Sequence, residues 1–288
     1  MLKGCIVALI TPFDELGKID FPALERLLAF HKESKTEGLV LCGCTGEGGT
    51  LNSDEKLLIF QTAKKVIGKK MPLIAATGTN STQESVLLTR EAKKIGMDAC
   101  MAIVPYYVRP TPAGCLAHFK EIAKIGLPIV VYHHPGRTGT KLDAKALSLV
   151  FEIPEVIALK DATEDFALAI ELIDQIPHFT GNDSLALPQL SLGFTGVISV
   201  VGNIIPNEWT AFIHLCLEGN FIEARKSFFA LKGILDAMNL ETNPQCVKYA
   251  ASLQGFCEPT MRLPLVQPSA PTKEIIRDVC PTAELTWQ

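Results

Sequence analysis

The sequence lacks the features that mark membrane proteins and nucleic-acid-binding proteins. In its 288 residues no apolar run approaches the roughly 20 residues that a membrane-spanning helix needs. No segment is rich in lysine or arginine, and the net charge is −4, so nothing in the charge pattern favours nucleic acid or an acidic membrane surface as a partner. The composition therefore predicts a soluble globular protein.

Paired cysteines of the kind found in secreted proteins are also missing. The nine cysteines are an odd number and lie scattered in apolar segments, which is typical of reduced cytoplasmic proteins. Cys42 and Cys44 have no second pair nearby, so no zinc site is predicted. The apolar run near the amino terminus is broken by Thr11-Pro12 and followed by acidic residues, and we interpret it as a buried strand and not as an export signal.

Short apolar, β-branched runs alternate with amphipathic segments along the chain. Runs that are apolar at nearly every position are typical of strands buried on both faces, and therefore of parallel sheets. Eight such runs are predicted as strands: Gly4–Ile10, Gly38–Cys42, Pro72–Thr77, Asp98–Val104, Pro128–His133, Val156–Lys160, His178–Gly181 and Gly196–Val200. Because a helical segment follows each strand, we predict a (β/α)8 barrel, of the TIM-barrel class, over residues 1–220.

Three further helices are predicted after the barrel, as a helical extension over residues 221–288 that packs on it within one structural domain. They cover Phe221–Asn239, Pro244–Gly255 and Lys273–Val279. The alternative fold is a doubly wound sheet, which usually carries a glycine-rich phosphate turn after its first strand. The segment Leu9–Phe13 is not such a turn, which favours the barrel.

Helix starts and buried helix faces can also be predicted. In the predicted helix Phe21–Lys35, one side carries Leu24, Leu27, Leu28 and His31. Capping residues begin two later helices, one at Asn52 and one within 80–84.

Lys160 is the most informative residue at the mouth of the predicted barrel. It ends an apolar strand, and the carboxyl ends of barrel strands are where active sites lie. A free lysine has a pKa of about 10.4, so roughly one amine in 2,500 is neutral at pH 7. Desolvation favours the neutral amine, which can attack a carbonyl. The alternative is a lysine that extends its amine to solvent.

Three of the four tyrosines, Tyr106, Tyr107 and Tyr132, also lie at strand ends. A phenol beside a forming imine can donate and accept protons. Tyr132 ends the strand next to that of Lys160, so the two side chains are expected to meet. The alternative is that the three rings only fill the top of the barrel.

Two further segments are candidates for binding a carboxylate. The backbone N–H groups of the turn Gly43–Gly49 could hold an anion, and Thr45 could add a hydroxyl, although four glycines in seven residues also suit a tight turn. The guanidinium of Arg137 suits bidentate pairing with a carboxylate, although a surface arginine is an equal alternative. His133 and His134 point to opposite faces of a strand, which argues against their sharing a metal ion.

These residues carry a resemblance that runs nearly the whole length of the chain. The sequence resembles the dihydrodipicolinate synthase (4-hydroxy-tetrahydrodipicolinate synthase) family, within the pyruvate-dependent aldolases that include N-acetylneuraminate lyase. The matching motifs are Ala8–Phe13, Gly43–Glu47, Pro105–Pro110, Tyr132 with Arg137-Thr-Gly, Ala158–Thr163, Gly196–Val200, Asn243-Pro244 and Arg262–Pro264. The Arg-Thr-Gly after Tyr132 favours the synthases over the sialic acid lyases.

The resemblance implies a role for each matching residue. Lys160 would form an imine with pyruvate without any cofactor or metal, and Tyr132 would donate and accept protons. Thr45 and the backbone at Ile198 would hold the pyruvate. Arg137 would bind the carboxylate of the second substrate, L-aspartate 4-semialdehyde, in the diaminopimelate route to lysine.

The resemblance also implies an assembly. Tyr107 would reach into the site of a neighbouring subunit and complete a proton relay there, so a homo-oligomer, either a dimer or a tetramer, is expected.

The chain departs from the family pattern at two places. Cys44 stands where the relay usually has a threonine, and a thiol is a weaker hydrogen-bond donor, so a slower relay is expected.

The second departure concerns the family's site for feedback inhibition by lysine, which is only partly present, with Asn80, Glu84 and Tyr106 in matching positions. Ser53 and Lys56 replace histidines that are frequent there. The cationic Lys56 would repel the ammonium groups of lysine, so weak or absent inhibition is expected.

Two alternative functions remain open from the sequence. One is a pyruvate-dependent retro-aldolase of a sugar acid, against which Arg137-Thr138 argues. The other is a catalytically weak paralogue that binds a keto acid, which only Cys44 favours.

Overall fold

The computed structural model describes residues 2–280 of the chain and contains a closed barrel of eight parallel strands. Each strand pairs with its neighbours in chain order, and β1 closes the barrel against β8. The strands are β1 Gly4–Ala8, β2 Gly38–Leu41, β3 Leu73–Ala76, β4 Ala99–Ile103, β5 Ile129–His133, β6 Val156–Asp161, β7 His178–Thr180 and β8 Gly196–Ser199. The barrel prediction is confirmed, and the doubly wound alternative is wrong.

Twelve α-helices surround the barrel in the described part of the chain. They are α1 Phe21–Glu33, α2 Ser53–Ile67, α3 Thr82–Ile95, α4 Pro112–Ala123, α5 Pro135–Thr138, α6 Ala144–Phe151, α7 Phe166–Leu172, α8 Ala186–Ser191, α9 Pro206–Leu217, α10 Phe221–Met238, α11 Gln245–Leu253 and α12 Ala270–Val279. Two short 3-10 helices lie at Asp183–Leu185 and Val201–Asn203. None of the helices described is long and apolar enough to cross a membrane.

The predicted elements and the observed ones differ mainly at their ends. Strand β1 ends at Ala8 and not at Ile10, because the amide of Ile10 donates to the side chain of Asn203 at 3.0 Å instead of to a neighbouring strand. Helix α1 buries the four residues predicted for its inner face, and Asn52 caps α2 through a capping box with Glu55. Helix α12 begins at Ala270, earlier than predicted.

The side chains of the strands form two separate cores. Successive residues of a strand point to opposite faces, so Ile6 and Ala8 of β1 face the barrel interior while Cys5 and Val7 face the helices. In β6 this alternation directs Ala158 into the barrel core, and Lys160, two residues later, therefore points into the mouth above it. Alternation thus determines which strand-end side chains reach the site.

The three helices after the barrel, α10, α11 and α12, pack against one another, and α10 and α11 also pack against elements of the barrel. The extension was predicted to begin at residue 221, and α9 ends at Leu217 while α10 begins at Phe221. Residues 281–288 of the predicted extension lie outside the described residues.

A buried ion pair joins this extension to the barrel. Lys248 of α11 donates to Glu47, in the turn after β2, and both side chains are fully buried. Lys248 also donates to the Thr260 carbonyl at 3.0 Å, and the Arg262 amide donates to the second oxygen of Glu47 at 3.2 Å. The ring of Phe13 lies beside the Lys248 amine, with the centroid 4.1 Å away. Every polar atom of this pair therefore has a partner.

Removing one partner of this pair is expected to destabilise the fold strongly. In Lys248→Met the Glu47 carboxylate stays buried without its cation, which typically costs about 3–5 kcal/mol. The free energy of unfolding, measured by denaturant titration, should fall by about that amount.

The matched control is Lys232→Met, which breaks the exposed pair of Lys232 with Asp236 on α10 and should cost less than about 1 kcal/mol. Equal losses in the two variants would contradict a special role for the buried pair.

Candidate active site

A cavity of about 210 Å³ opens at the carboxyl ends of the strands. It is bordered on one side by barrel residues and on the other by the extension. Its lining residues are Cys44, Thr45, Tyr132, His134, Arg137, Lys160, Ala162, Glu164, Gly181, Asn182, Asp183, Val200, Val201, Leu235, Met238, Asn239 and Asn243. Five residues singled out from the sequence meet here: Lys160, Tyr132, Cys44, Thr45 and Arg137.

Lys160 and Tyr132 are held side by side by strand pairing. They are direct partners in the register of β5 with β6, and both point into the barrel mouth. The Lys160 amine lies over the Tyr132 ring, 4.3 Å from its centroid. Gly181 leaves room for this arrangement, because a Cβ there would lie 3.0 Å from Cε of Lys160.

Burial changes the acid–base behaviour of both side chains. Lys160 is 5% exposed, and desolvation lowers its pKa to about 8, with the nearby Arg137 lowering it further and Cys44 and Asp183 opposing the shift. A pKa of about 8 leaves roughly a tenth of the amine neutral at pH 7, about two hundred times more than in a free lysine. Burial raises the pKa of Tyr132, so its phenol keeps its proton. The pair thus combines a nucleophilic amine with a proton donor.

The turn after β2 is tight, and two of its backbone amides already donate hydrogen bonds within the turn. The amides of Glu47 and Gly48 donate to carbonyls within the turn, at 3.0 and 2.9 Å. A Cβ at Gly48 would lie 1.9 Å from the Cys42 carbonyl oxygen, so only glycine fits there. The turn therefore presents the side chains of Cys44 and Thr45 to the cavity, while these two amides are not available to an anion.

Asn243, just before α11, connects the extension to this turn. Its amide nitrogen donates to the Thr45 hydroxyl at 3.0 Å and lies 4.0 Å from the Cys44 sulfur. The Asn243 carbonyl oxygen is buried and has no partner among the described residues. Sequence reasoning gave Asn243 no role beyond its place in a motif, because nothing local to the motif indicates a contact nearly 200 residues away along the chain.

Asp183 is a second site residue that received no role from the sequence. One of its carboxylate oxygens accepts the amides of Val200 and Val201, both at 2.8 Å, and so fixes the backbone after β8. Its other oxygen is buried without a partner among the described residues. Burial raises the pKa of Asp183, and the Lys160 cation opposes this. The only signal in the sequence was its place just after β7.

Two histidines after β5 behave differently from each other. His133 is buried, and its Nε2 accepts the amide of Leu142 at 3.1 Å, which is a structural role. His134 lines the cavity and packs its ring against Tyr132, with the centroids 5.8 Å apart. Desolvation, with smaller contributions from Arg137 and Lys160, lowers the pKa of His134 to about 4, so the ring is neutral at neutral pH.

The remaining predicted residues lie away from this cavity. Ile198 is buried in the barrel interior and is not among the lining residues. The side chain of Tyr107 points to solvent and is 88% exposed, with a backbone φ of 68°.

The residues assigned to a lysine effector site also lie outside the cavity that contains Lys160. Tyr106 and Lys56 line a second cavity, whereas Ser53 is exposed at the start of α2. Asn80 and Glu84 lie close enough to Tyr106 to influence its pKa. They do not line either cavity.

Known proteins resemble this chain over nearly its full length. The model of the dihydrodipicolinate synthetase family matches residues 1–280. A 4-hydroxy-tetrahydrodipicolinate synthase of Thermodesulfovibrio yellowstonii is 39% identical over 290 aligned positions, covering 99% of both chains. The corresponding protein of Aquifex aeolicus is 38% identical, covering 97% of both.

Solved structures give the same result. The crystal structure of dihydrodipicolinate synthase from Aquifex aeolicus superposes with a TM-score of 0.94 at 37% identity, covering 96% of this chain and 97% of that one. The enzyme from Thermotoga maritima gives 0.93 at 33% identity, covering 97% of each.

The lowered pKa of Lys160 predicts how its reactivity changes with pH. Acetic anhydride acylates neutral amines, so acylation of Lys160 should rise about tenfold per pH unit below 8 and level off above it. Peptide mass spectrometry after short exposures measures this profile. Because the Arg137 cation lowers the pKa, Arg137→Met should move the inflection to higher pH. An inflection near 10 in the unaltered protein would contradict desolvation of the amine.

Proposed function

Because the chain belongs to the dihydrodipicolinate synthetase family, we propose that Lys160 forms an imine with pyruvate and that the resulting enamine condenses with L-aspartate 4-semialdehyde. The chain is a lyase with the activity of a 4-hydroxy-tetrahydrodipicolinate synthase. The single observation that carries the assignment of the nucleophile is the buried, deprotonatable amine of Lys160 beside a protonated phenol. The names of the relatives favour this condensation over cleavage of a sugar acid.

The proposed chemistry begins at the neutral amine. Nζ of Lys160 attacks the ketone carbon of pyruvate, a C–N bond forms, and the carbonyl oxygen leaves as water after it has been protonated. Loss of a proton from the methyl carbon then gives the enamine. Tyr132 lies beside the Lys160 amine and is the group proposed to donate and accept these protons.

The second half of the reaction joins the substrates and releases the enzyme. The enamine carbon attacks the aldehyde carbon of the semialdehyde, and the aldehyde oxygen takes up a proton. The amine of the semialdehyde then attacks the imine carbon, which closes the ring and displaces the Lys160 amine. The covalent bond between Lys160 and the substrate is thereby broken again, so the free enzyme is regenerated, and the proposed reaction uses no cofactor.

The carboxylates of the two substrates are proposed to bind at different ends of the cavity. The Thr45 hydroxyl, oriented by Asn243, lies on the side of the pyruvate, together with the backbone near Ile198. Arg137 lies at the exposed rim, and its guanidinium has no hydrogen bond to the described residues. A guanidinium that is exposed and unpaired suits the carboxylate of the incoming semialdehyde.

We further propose that the working enzyme is a homo-oligomer. Tyr107 follows β4 and is 88% exposed, so its phenol cannot reach the cavity of its own chain in this conformation. A second copy that covers this surface would bury the ring and bring Tyr107 towards the partner's relay. The assembly is then part of the active site.

Trapping the imine tests the proposed function. Incubation with pyruvate and sodium borohydride should add one reduced pyruvyl group to the intact protein, and peptide mapping should place it on Lys160. Lys160→Met should remain unlabelled and lose activity by at least about a thousandfold, since covalent catalysis is lost. A protein that folds and shows no adduct would rule out the Schiff-base reaction.

The thiol at position 44 is expected to slow the reaction. A hydroxyl is the stronger hydrogen-bond donor, so Cys44→Thr should raise kcat about fivefold, which corresponds to about 1 kcal/mol. Steady-state kinetics with both substrates measures this. Cys115→Ala, at a buried cysteine outside the cavity, is the control and should not increase kcat. An unchanged kcat in Cys44→Thr would show that this position does not limit the rate.

A further inference from the structure

The rim of the catalytic cavity carries two charges of opposite sign on neighbouring segments of the barrel. Arg137 follows β5 and Glu164 follows β6, and both side chains are exposed and line the cavity. No ion pair joins them in the part of the chain that the structure describes. Because the two charges do not neutralise each other, both can bind a ligand that carries a carboxylate and an ammonium group.

The backbone of Glu164 has an unusual conformation. Its φ is 59°, in the left-handed region that favours glycine and is costly for a residue with a Cβ. The loop is held on both sides of Glu164, because the Thr163 amide donates to the Asp161 carboxylate at 2.8 Å and the Asp165 amide donates to the Thr163 hydroxyl at 3.1 Å. Residues kept in this region against their preference occur most often at functional sites. Glycine would relieve the strain but would remove a carboxylate from the cavity.

Asn182, in the loop after β7, orients that carboxylate. The amide nitrogen of Asn182 donates to Oε1 of Glu164 at 2.8 Å, and the amide oxygen accepts the backbone N–H of Ser184 at 3.0 Å. Both ends of the Asn182 side chain are therefore engaged. The other oxygen of Glu164 accepts no hydrogen bond from the described residues, so the carboxylate is held in place with one oxygen free.

The carboxylates near Glu164 are not available to a ligand in the same way. Asp165 accepts the Lys141 ammonium at 2.8 Å and the Leu168 amide at 3.0 Å, and it does not line the cavity. Asp183 is the other acidic residue of the lining, but its unpartnered oxygen is buried and has almost no accessible surface. Glu164 is thus the acidic side chain of the lining that a cation entering from solvent can reach.

We propose that Glu164 binds the ammonium group of the aldehyde substrate and thereby selects an L-amino acid. The inference rests on the proposed function, in which that substrate is L-aspartate 4-semialdehyde. Its carboxylate is bound by Arg137, its ammonium by Glu164, and its aldehyde faces the enamine on Lys160. Three fixed groups around one chiral carbon distinguish the two enantiomers, and they also orient the aldehyde for attack.

Steady-state kinetics on the protein in its native assembly tests the proposal. Glu164→Gln keeps the size of the side chain and removes its charge, so KM for L-aspartate 4-semialdehyde should rise about fivefold, as expected for an ion pair at an exposed rim. The value of kcat and the KM for pyruvate should stay within about twofold. The preference for the L over the D enantiomer, measured as the ratio of kcat/KM, should fall by about the same fivefold factor.

A substrate analogue without the ammonium separates charge recognition from a general disturbance of the site. Succinate semialdehyde has the same carboxylate and aldehyde but no amine, and it should inhibit the wild type and Glu164→Gln with equal strength. Glu171→Gln removes an exposed carboxylate of α7 that does not line the cavity, and its kinetics should match the wild type.

Glu164→Gly is the second variant, and it separates binding from folding. It removes the carboxylate and relieves the positive φ, so KM for the semialdehyde should rise as in Glu164→Gln while the midpoint of thermal unfolding does not fall.

The assignment would be overturned by an unchanged KM in Glu164→Gln, by an unchanged preference between enantiomers, or by an equal loss of affinity for succinate semialdehyde. If the wild type forms no product from pyruvate and the semialdehyde, the proposed function fails and the assignment fails with it. An active wild type that Glu164→Gln matches in every constant would reject the role of Glu164 alone.

Discussion

The ion pair between Glu47 and Lys248 is the interaction on which the architecture of the site depends. Glu47 lies two residues after Thr45, and Lys248 lies five residues after Asn243, so the pair fixes the position of both segments. Each charge is fully buried and would be costly without the other. Docking of the extension through this pair brings Asn243 to Thr45. The catalytic cavity exists because this docking completes its second side.

Three buried lysines show how differently the same desolvation cost can be met. Lys248 is neutralised by Glu47 and holds the fold together. Lys160 forms no hydrogen bond with a carboxylate of the described residues, and its pKa falls to about 8, which makes a neutral, nucleophilic amine available. Lys56 forms no hydrogen bond or ion pair with the residues that the structure describes, and it lines the cavity beside α2. The contrast between Lys248 and Lys160 follows from whether a carboxylate lies within hydrogen-bonding distance of the amine.

The sequence predicted the barrel and half of the site because both depend on local periodicity. Apolar runs marked the eight strands, and adjacent strands that both end in polar residues implied that Tyr132 and Lys160 would meet, as their register confirms. Asn243 and Asp183 act through contacts made by tertiary folding, and no local pattern distinguishes them from other polar loop residues. Equally, the exposure of Tyr107 depends on the path of the loop after β4 and is not visible in the sequence.

The extension contacts two adjacent side chains of the turn after β2, Cys44 and Thr45, and holds them unequally. The Asn243 amide lies 3.0 Å from the Thr45 hydroxyl and 4.0 Å from the Cys44 sulfur, and sulfur is the weaker acceptor. The hydroxyl proposed to bind substrate is thus firmly oriented, while the thiol beside it is only loosely held. Threonine at position 44 would offer a shorter and stronger bonding group in the same place. The proposed substrate contact at Thr45 is therefore tied to the extension, whereas the proton transfer proposed at position 44 depends on a less ordered side chain.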